Sequence, residues 1–570
     1  MRITKIVPLV LLVPFISAGG AISGSASSHE YQLSAQQKTA MAQFAYAAID
    51  GKDTQPSPDF GGISTDYYRL YLTLLSSGKV KCSETSYSLK RGSDRISTEI
   101  QETLKKCIAS GGTQEITNIV FDFLYNQYEL KGNTLEELSD ETMWGVDALR
   151  IEANGRSANL LSSVSVINNY SHQQTLEALC TSAGLEKDCY SNQSVKIYKL
   201  SDSAILATRD GKITDLYRSN VLLQADSITQ SDILTSIAGG YSWFGKNTRN
   251  DGLLEYLYYP SADEYAKDDN DIRRLAATWG QTELMNFLGR DDARDSVAAT
   301  LDHYLQYQKE GGGGIYLDIG GSANIANNAF MIMALINTPD YANRDELLRQ
   351  LAAAIINAQQ KDGSYQTDII AGGQSGIDYY PGEAMLALMK LYGMTKDRQY
   401  LDSVEKAFFY YRDYWRNNQN TAFVPWHSQA YRMLYDAKPN RELTDFVFEM
   451  NDWLISKQQT TGSYPDYLGG FGEKPSNSTA SYLEGLGDAY ALAKTVDDNN
   501  HSDQYQKAIK LAARYVMQTQ FTSDNAFYLS NPQKAIGGFR QSVVNNQERN
   551  DYTQHATLAL MKVYSENIFK

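Results

Sequence analysis

From residue 240 onward, apolar positions recur at helical spacing. Between Asp397 and Trp415, the residues Leu401, Val404, Phe408, Tyr411 and Trp415 share one face. Leu348, Leu351, Ile355 and Ala358 repeat the stripe, as do Tyr505, Ala508, Ala512 and Tyr515. Each stripe predicts a helix buried along one side. The helices run into related tails (LQYQKEGGGGIY, INAQQKDGSY, ISKQQTTGSY, MQTQFTSDNAFY), several of them glycine-containing and suited to ending a helix and turning the chain. Between them lie segments that are apolar nearly all round: IRRLAATWGQTELMNFL, NNAFMIMALI, PGEAMLALMKLY, PWHSQAYRMLY, SYLEGLGDAYALA and DYTQHATLALMKVY. A helix apolar on every side is buried on most of them. Their starts, near 272, 326, 381, 425, 480 and 551, recur at about fifty residues. One-face helices alternating with fully buried ones are what an outer and an inner ring require, so this half is predicted to be an α/α toroid. A stacked open solenoid is the alternative.

Residues 33–225 carry a different pattern. LSAQQKTAMAQFAYAAID reads as an amphipathic helix, and DYYRLYLTLLSSGKVKC as a strand, a turn and the start of a second strand. WGVDALRIEANGRSANLLSSVSV reads as strands with a turn at Asn154-Gly155. SHQQTLEALCTSAGL is a helix with Ser171 as candidate N-cap, and VKIYKLSDSAILAT a further strand. The predicted fold class is thus multidomain: an N-terminal α+β domain over 33–225, then an all-α (α/α) toroid over 251–570. The segment 226–250, with Gly239, Gly240 and Gly245, is expected to be a linker able to hinge the two.

The first 28 residues join a basic start, MRITK, to a brief apolar run and small residues, the pattern of a secretory signal peptide. The protein is expected to be exported, periplasmic or secreted. No later run reaches the roughly 20 apolar residues of a membrane span. The four cysteines, Cys82, Cys107, Cys180 and Cys189, are an even set in an exported chain, which favours disulfides. The local pairing, Cys82–Cys107 with Cys180–Cys189, is one of three; buried free thiols are the alternative.

Of the 570 residues, 42% are hydrophobic and 21% charged, which excludes wholesale disorder. A net charge of −15 argues against a general nucleic-acid binder, although a local cationic pocket remains compatible with an acidic substrate. Six histidines and four cysteines in these spacings offer no metal framework, and no cofactor is expected. The loop Gly537–Arg540 has no strand before it and no phosphate-loop spacing. The run Glu310–Gly314 is expected to be a flexible loop on the rim.

The front half resembles the AMME-region protein family, a small α+β domain. The resemblance rests on LSAQQKTAMAQFAYAAID, the GKVKC strand, and NGRSANLLSSVSVINNYSHQQTLEALCTSAGLEKDCY followed by VKIYKL. VKCSE (Val80 to Glu84) stands where the family has Arg-Gly-Cys-Ile-Gly, Ser162 where it has Pro, and Ser182 where it has Lys. No catalysis is assigned to this half; binding or support is its expected role. The second half resembles the α/α-toroid glycan enzymes, which include glycosidases, uronate lyases and sugar epimerases. More closely, it is similar to a group of exported bacterial proteins that fuse an AMME-region-like domain to such a toroid. The strings that carry this are LLEYLYYPSADEY, NDIRRLAA, GIDYYPGEAML, NSTASYLEGLGDAY and AFYLSNPQKAIGGFRQSVVNNQERNDYTQH.

If inner and outer helices alternate, all inner helices run one way and their N-termini converge on one mouth, with positive dipole ends and free N–H groups. Polar residues concentrate at those starts. Asp378, Tyr379, Tyr380 and Glu383 surround Pro381; Trp426 and His427 follow Pro425; Glu484 belongs to the fifth inner helix; Arg549, Asp551 and His555 open the sixth, and Arg273 the first. Glu383, Glu484 and Asp551 are candidate acid and base for glycoside cleavage. Tyr380 and His555 are candidates for moving a proton at a sugar carbon, with Arg273, Arg549 or Arg540 neutralising a carboxylate. Asp378, Tyr379, Trp426 and His427 complete the candidate substrate-binding set. The expected function is an exported carbohydrate-active enzyme, with a glycan or other small-molecule or polymeric substrate. A non-catalytic envelope protein binding glycan or peptide is the alternative. A prenyl- or terpene-type toroid is weaker, since no Asp-rich motif is present.

Overall fold

The computed structural model describes residues 33–52, 54, 58, 67–88, 93–111, 115–461 and 464–569; the expected signal peptide at 1–28 lies outside the described residues. The front half contains α1 (Ala35–Ile49), β1 (Arg69–Ser76), β2 (Lys79–Ser86), α2 (Ser93–Ala109), β3 (Asn118–Glu129), α3 (Leu135–Glu141), β4 (Asp147–Ala153), β5 (Arg156–Leu160), α4 (Ser162–Ile167), α5 (His172–Ser182), β6 (Lys196–Thr208) and β7 (Ile213–Leu216). The strands form one antiparallel sheet in the order β2-β1-β3-β6-β4-β5, with β7 on β6. Asn154 and Gly155, both at positive φ, make the tight turn between β4 and β5. Ser171 caps α5, accepting from the backbone N–H of Gln174.

Alternation along β3 gives the sheet two buried faces. Ile119, Phe121 and Phe123 pack with Met41, Phe44, Ile100 and Leu104 of α1 and α2. Val120 points the other way and packs, with Leu75 and Leu206, on Phe521, Tyr528 and Leu529 of the helical half. Disulfides Cys82–Cys107 and Cys180–Cys189 tie β2 to α2 and α5 to the turn beyond it, so the local pairing is the one formed.

The second half is a closed ring. Its inner helices are α7 (Asp271–Leu288), α9 (Ile325–Ile336), α11 (Tyr380–Thr395), α13 (Phe423–Ala437), α15 (Ser478–Thr495) and α18 (Asn550–Ser565). Outer helices α8 (Arg294–Leu305), α10 (Arg344–Asn357), α12 (Arg398–Asn417), α14 (Arg441–Ile455) and α16 (Asn499–Gln518) alternate with them. Each inner helix packs on the next, and α18 packs on α7, which rules out an open solenoid. Close approach at the inner seams depends on glycine: a Cβ on Gly485 would stand 2.6 Å from the Cα of Pro425.

Two sequence expectations are corrected. The segment 226–250 is no hinge: most of it is helix α6 (Gln230–Lys246), which buries Ile233, Ile237, Trp243 and Phe244 and packs on α18 as the sixth outer helix. Gly240, one of the glycines that made it look flexible, serves packing, since a Cβ there would meet Thr557 Cγ2 at 2.3 Å. The Glu310–Gly314 run is not a loose loop either. It is a hairpin of β10 (Gln308–Gly311) and β11 (Gly314–Leu317), turned by Gly312 and Gly313 at positive φ. Four further short strands, β8 (Leu257–Tyr259), β9 (Glu264–Tyr265), β12 (Arg540–Ser542) and β13 (Asn545–Arg549), form a sheet in the order β12-β13-β8-β9. A single-turn helix, α17 (Pro532–Ala535), precedes β12. Among the described residues, no helix is long and apolar enough to cross a membrane.

Candidate active site at the ring's mouth

The starts of α7, α11, α13, α15 and α18 line one cavity of about 440 Å³, together with Phe330 of α9. Later turns of the same five helices line a second cavity of about 270 Å³. These five inner helices are therefore parallel, and the first cavity collects their N-terminal ends. Rings of Trp279, Phe330 and Trp426, 5.8–6.3 Å apart, form an aromatic layer between the two.

Glu383 sits in the first turn of α11, after Pro381, whose fixed φ suits that position. It is 5% exposed, and its Oε2 is buried without a hydrogen-bond partner. Burial pushes its carboxyl up to about 8, against the lowering pull of Arg273, so it holds a proton at neutral pH. Tyr380, half-buried beside it, is pushed up to about 12, mainly by burial.

Asp551, in the first turn of α18, behaves oppositely. Burial acts to raise its pKa, but Arg549 and then Arg273 outweigh it and hold the carboxyl below its ordinary value. Arg549 Nε and Nη2 donate to its two oxygens at 2.5 and 2.9 Å, and Arg273 Nη1 donates to Oδ2. One turn further along α18, His555 Nδ1 lies 2.6 Å from Glu484 Oε1, while the Glu484 Oε2 is buried and unpartnered. The imidazole also meets the Trp426 ring at 5.6 Å.

Of the residues singled out from sequence, Arg273, Tyr379, Tyr380, Glu383, Trp426, Asp551 and His555 line the mouth. Glu484 reaches it through His555 and lines the second cavity; Arg549 reaches it through Asp551. Three stand elsewhere. Asp378 accepts from Tyr414 Oη at 2.8 Å and Asn420 Nδ2 at 2.9 Å, bonds that fix the loop between α12 and α13. His427 is fully buried, its ring stacked on Phe423 at 3.3 Å and its Nδ1 bonded to the Phe423 carbonyl. Burial pushes its pKa down to about 3, so it is a neutral packing residue. Arg540 is wholly buried and donates to the carbonyls of Thr519 and Gln518, joining α16 to β12.

Gln554, Ser478, Ser481 and Tyr482 also line the mouth and were not singled out from sequence. Gln554 lies one turn from Asp551 on the same face of α18, and Ser481 one turn before Glu484 on α15, so helical spacing from the chosen positions would have found those two; Ser478 and Tyr482 carried no such signal. Among the described residues, no group of three or more His, Cys, Asp or Glu is placed to hold a metal ion.

Neither a family model nor a curated protein matches the chain. Solved structures do resemble parts of it. A D-mannose isomerase aligns over 60% of this chain and 99% of its own, with 14% identity and a TM-score of 0.46. A family 76 glycoside hydrolase from a bovine Bacteroides thetaiotaomicron strain aligns over 78% of this chain and 96% of its own, with 8% identity and a TM-score of 0.44. An uncharacterised protein of Pyrococcus horikoshii aligns over 31% of this chain and 93% of its own, with 17% identity and a TM-score of 0.27.

Proposed function

We propose that this protein is an exported carbohydrate-active enzyme that works by general acid–base catalysis in the ring's mouth, with an AMME-region-like front domain over 33–225. The observation that carries the reading is Glu383: a buried carboxyl, proton-bearing at neutral pH, with an unpartnered oxygen, on the wall of a cavity also lined by His555, whose Nδ1 pairs with Glu484 behind it. In this reading Glu383 donates its proton to a glycosidic or carbonyl oxygen. Glu484 keeps the histidine proton on Nδ1, which leaves Nε2 free to accept a proton from water or from a sugar carbon. The ionised Asp551, held by Arg273 and Arg549, supplies fixed charge and hydrogen-bonding capacity beside them. Tyr379, Tyr380 and Trp426 offer apolar faces to sugar rings.

The test is to incubate the full chain with neutral and uronic oligosaccharides in deuterated water and read products by mass spectrometry and absorbance. New reducing ends mark hydrolysis, an unsaturated uronate marks elimination, and deuterium uptake without cleavage marks epimerisation or isomerisation. Tight oligosaccharide binding with none of the three would replace this reading by a non-catalytic glycan-binding one.

A further inference from the structure

The segments leading into the inner helices form the mouth's rim, and, among the described residues, only some of them are bonded to the sheet half. Those before α7, α15 and α18 are. Ser261 Oγ donates to the carbonyl of Ile167. Arg218 and Asp466 form an ion pair at 2.7 Å whose side chains are 1% and 3% exposed. Asn169, in the left-handed region at φ 53°, accepts through its side chain from the backbone N–H of Asn546 at 2.9 Å. Asn546 Nδ2 in turn donates to the Val166 carbonyl at 3.1 Å and to Ser261 Oγ at 2.7 Å.

What gives this junction meaning is where β13 leads. The strand begins at Asn545 and ends at Arg549, the residue that grips both oxygens of Asp551. Along the way it pairs with β8, with Arg549 opposite Leu257, and Asn550 N donates to the carbonyl of Tyr256. A strand this short, paired on both sides, shifts largely as one piece, so its near-end anchor adds to the β8 pairing in setting where its far end stands. Asn169 pins the near end.

We propose that Asn169 of the sheet half is a positioning residue for the mouth: through Asn546 and β13 it sets where the Arg549 guanidinium stands, and thereby the charge and pose of Asp551. The inference takes the mouth as the working site from the preceding section. It assigns the front domain a share in assembling that site.

The test uses the full chain and needs no turnover. Hydrogen–deuterium exchange is compared in the wild type, Asn169→Gly, which keeps the left-handed backbone, and Ser261→Ala, which strips the same junction from the ring side. Exchange about five-fold faster at 545–551 and 257–259, with 379–383 unchanged, is expected for the loss of such bonds. In protein with carboxyl-labelled aspartate, the Asp551 resonance, identified by its loss in Asp551→Asn, should titrate at higher pH in both variants as Arg549 loosens. Wild-type exchange at 545–551 in both variants, a rise spread over the whole ring, or an unmoved Asp551 midpoint would each overturn the proposal. Absence of glycan turnover would count against the enzymatic reading and leave these measurements untouched.

Discussion

The two cavities of the ring are built from the same five helices, yet they treat charge in opposite ways. Both lysines that line the far cavity have an acid. Lys390 donates to Glu283 at 2.7 Å, and Trp279 Nε1 donates to the same oxygen at 2.8 Å; Lys390 holds Glu283 below its ordinary pKa despite the opposing effect of burial. Lys562 pairs with Asp488 and donates to Gln429 Oε1 at 2.8 Å, and Lys494 pairs with Glu566 at 2.9 Å. These lysines also stand near the negative ends of the helix dipoles. At the mouth, by contrast, Glu383 is buried with no hydrogen-bond partner for Oε2 and Asp551 carries two arginines. Leaving a buried carboxyl oxygen unpartnered costs stability, and groups so perturbed cluster at sites where chemistry uses them. The far end holds the ring together; the mouth carries, in Glu383, a group the ring would be more stable without.

That contrast can be broken most sharply at Glu383. Glu383→Gln should lower turnover by about 10²–10⁴-fold while raising the melting temperature. The sign follows from its raised pKa: with Glu383 protonated in both states at low pH there is no penalty, and stability is lost as pH climbs from its unfolded value toward about 8. The melting-temperature gain of the variant should therefore grow from pH 5 to pH 8, and the wild-type rate should fall through about 8. A variant that is destabilised at pH 8 would remove the contrast.

Asp551→Asn comes next. It should lower turnover by about 10²-fold and, unlike Glu383→Gln, cost about 2 kcal/mol, since it strands two arginines; kinetics and denaturant melts separate the two effects. At the far end Lys390→Met should cost about 1–2 kcal/mol by leaving Glu283 unpaired, with kcat within about two-fold of wild type. A large loss of rate there would show that the ends do not divide the labour. The smallest effect is expected from Lys494→Met, whose partly exposed pair with Glu566 should be worth less than about 1 kcal/mol by the same melts.

Much of the ring was legible because its inner helices are apolar all round, a pattern that survives without knowing their partners. Starts expected near 272, 326, 381, 425, 480 and 551 correspond to Asp271, Ile325, Tyr380, Phe423, Ser478 and Asn550. The hinge expected at 226–250 shows the limit: Gly239, Gly240 and Gly245 have the composition of a linker, but at Gly240 the missing side chain makes room for Thr557 of a helix three hundred residues away. The short strands β8, β9, β12 and β13 span two to five residues and carry no period to read. At the mouth, placing polar residues on helix starts found Glu383, Asp551 and His555 but also chose His427. It follows Trp426 by one residue, and one step along a helix turns a side chain by about 100°, from the cavity to the stack on Phe423. Asp378 and Arg540 lie in segments between helices, where spacing says nothing about direction.

The packing of α6 on α18 has a consequence for the order of events as the chain is made. The first and last helices of the ring are neighbours, so the ring cannot shut until Asn550–Ser565 has been synthesised. Asp551 and His555 arrive with that last helix. A nascent chain thus carries Glu383 and the tyrosines long before it owns their counterparts, and any product released early lacks one wall of the mouth.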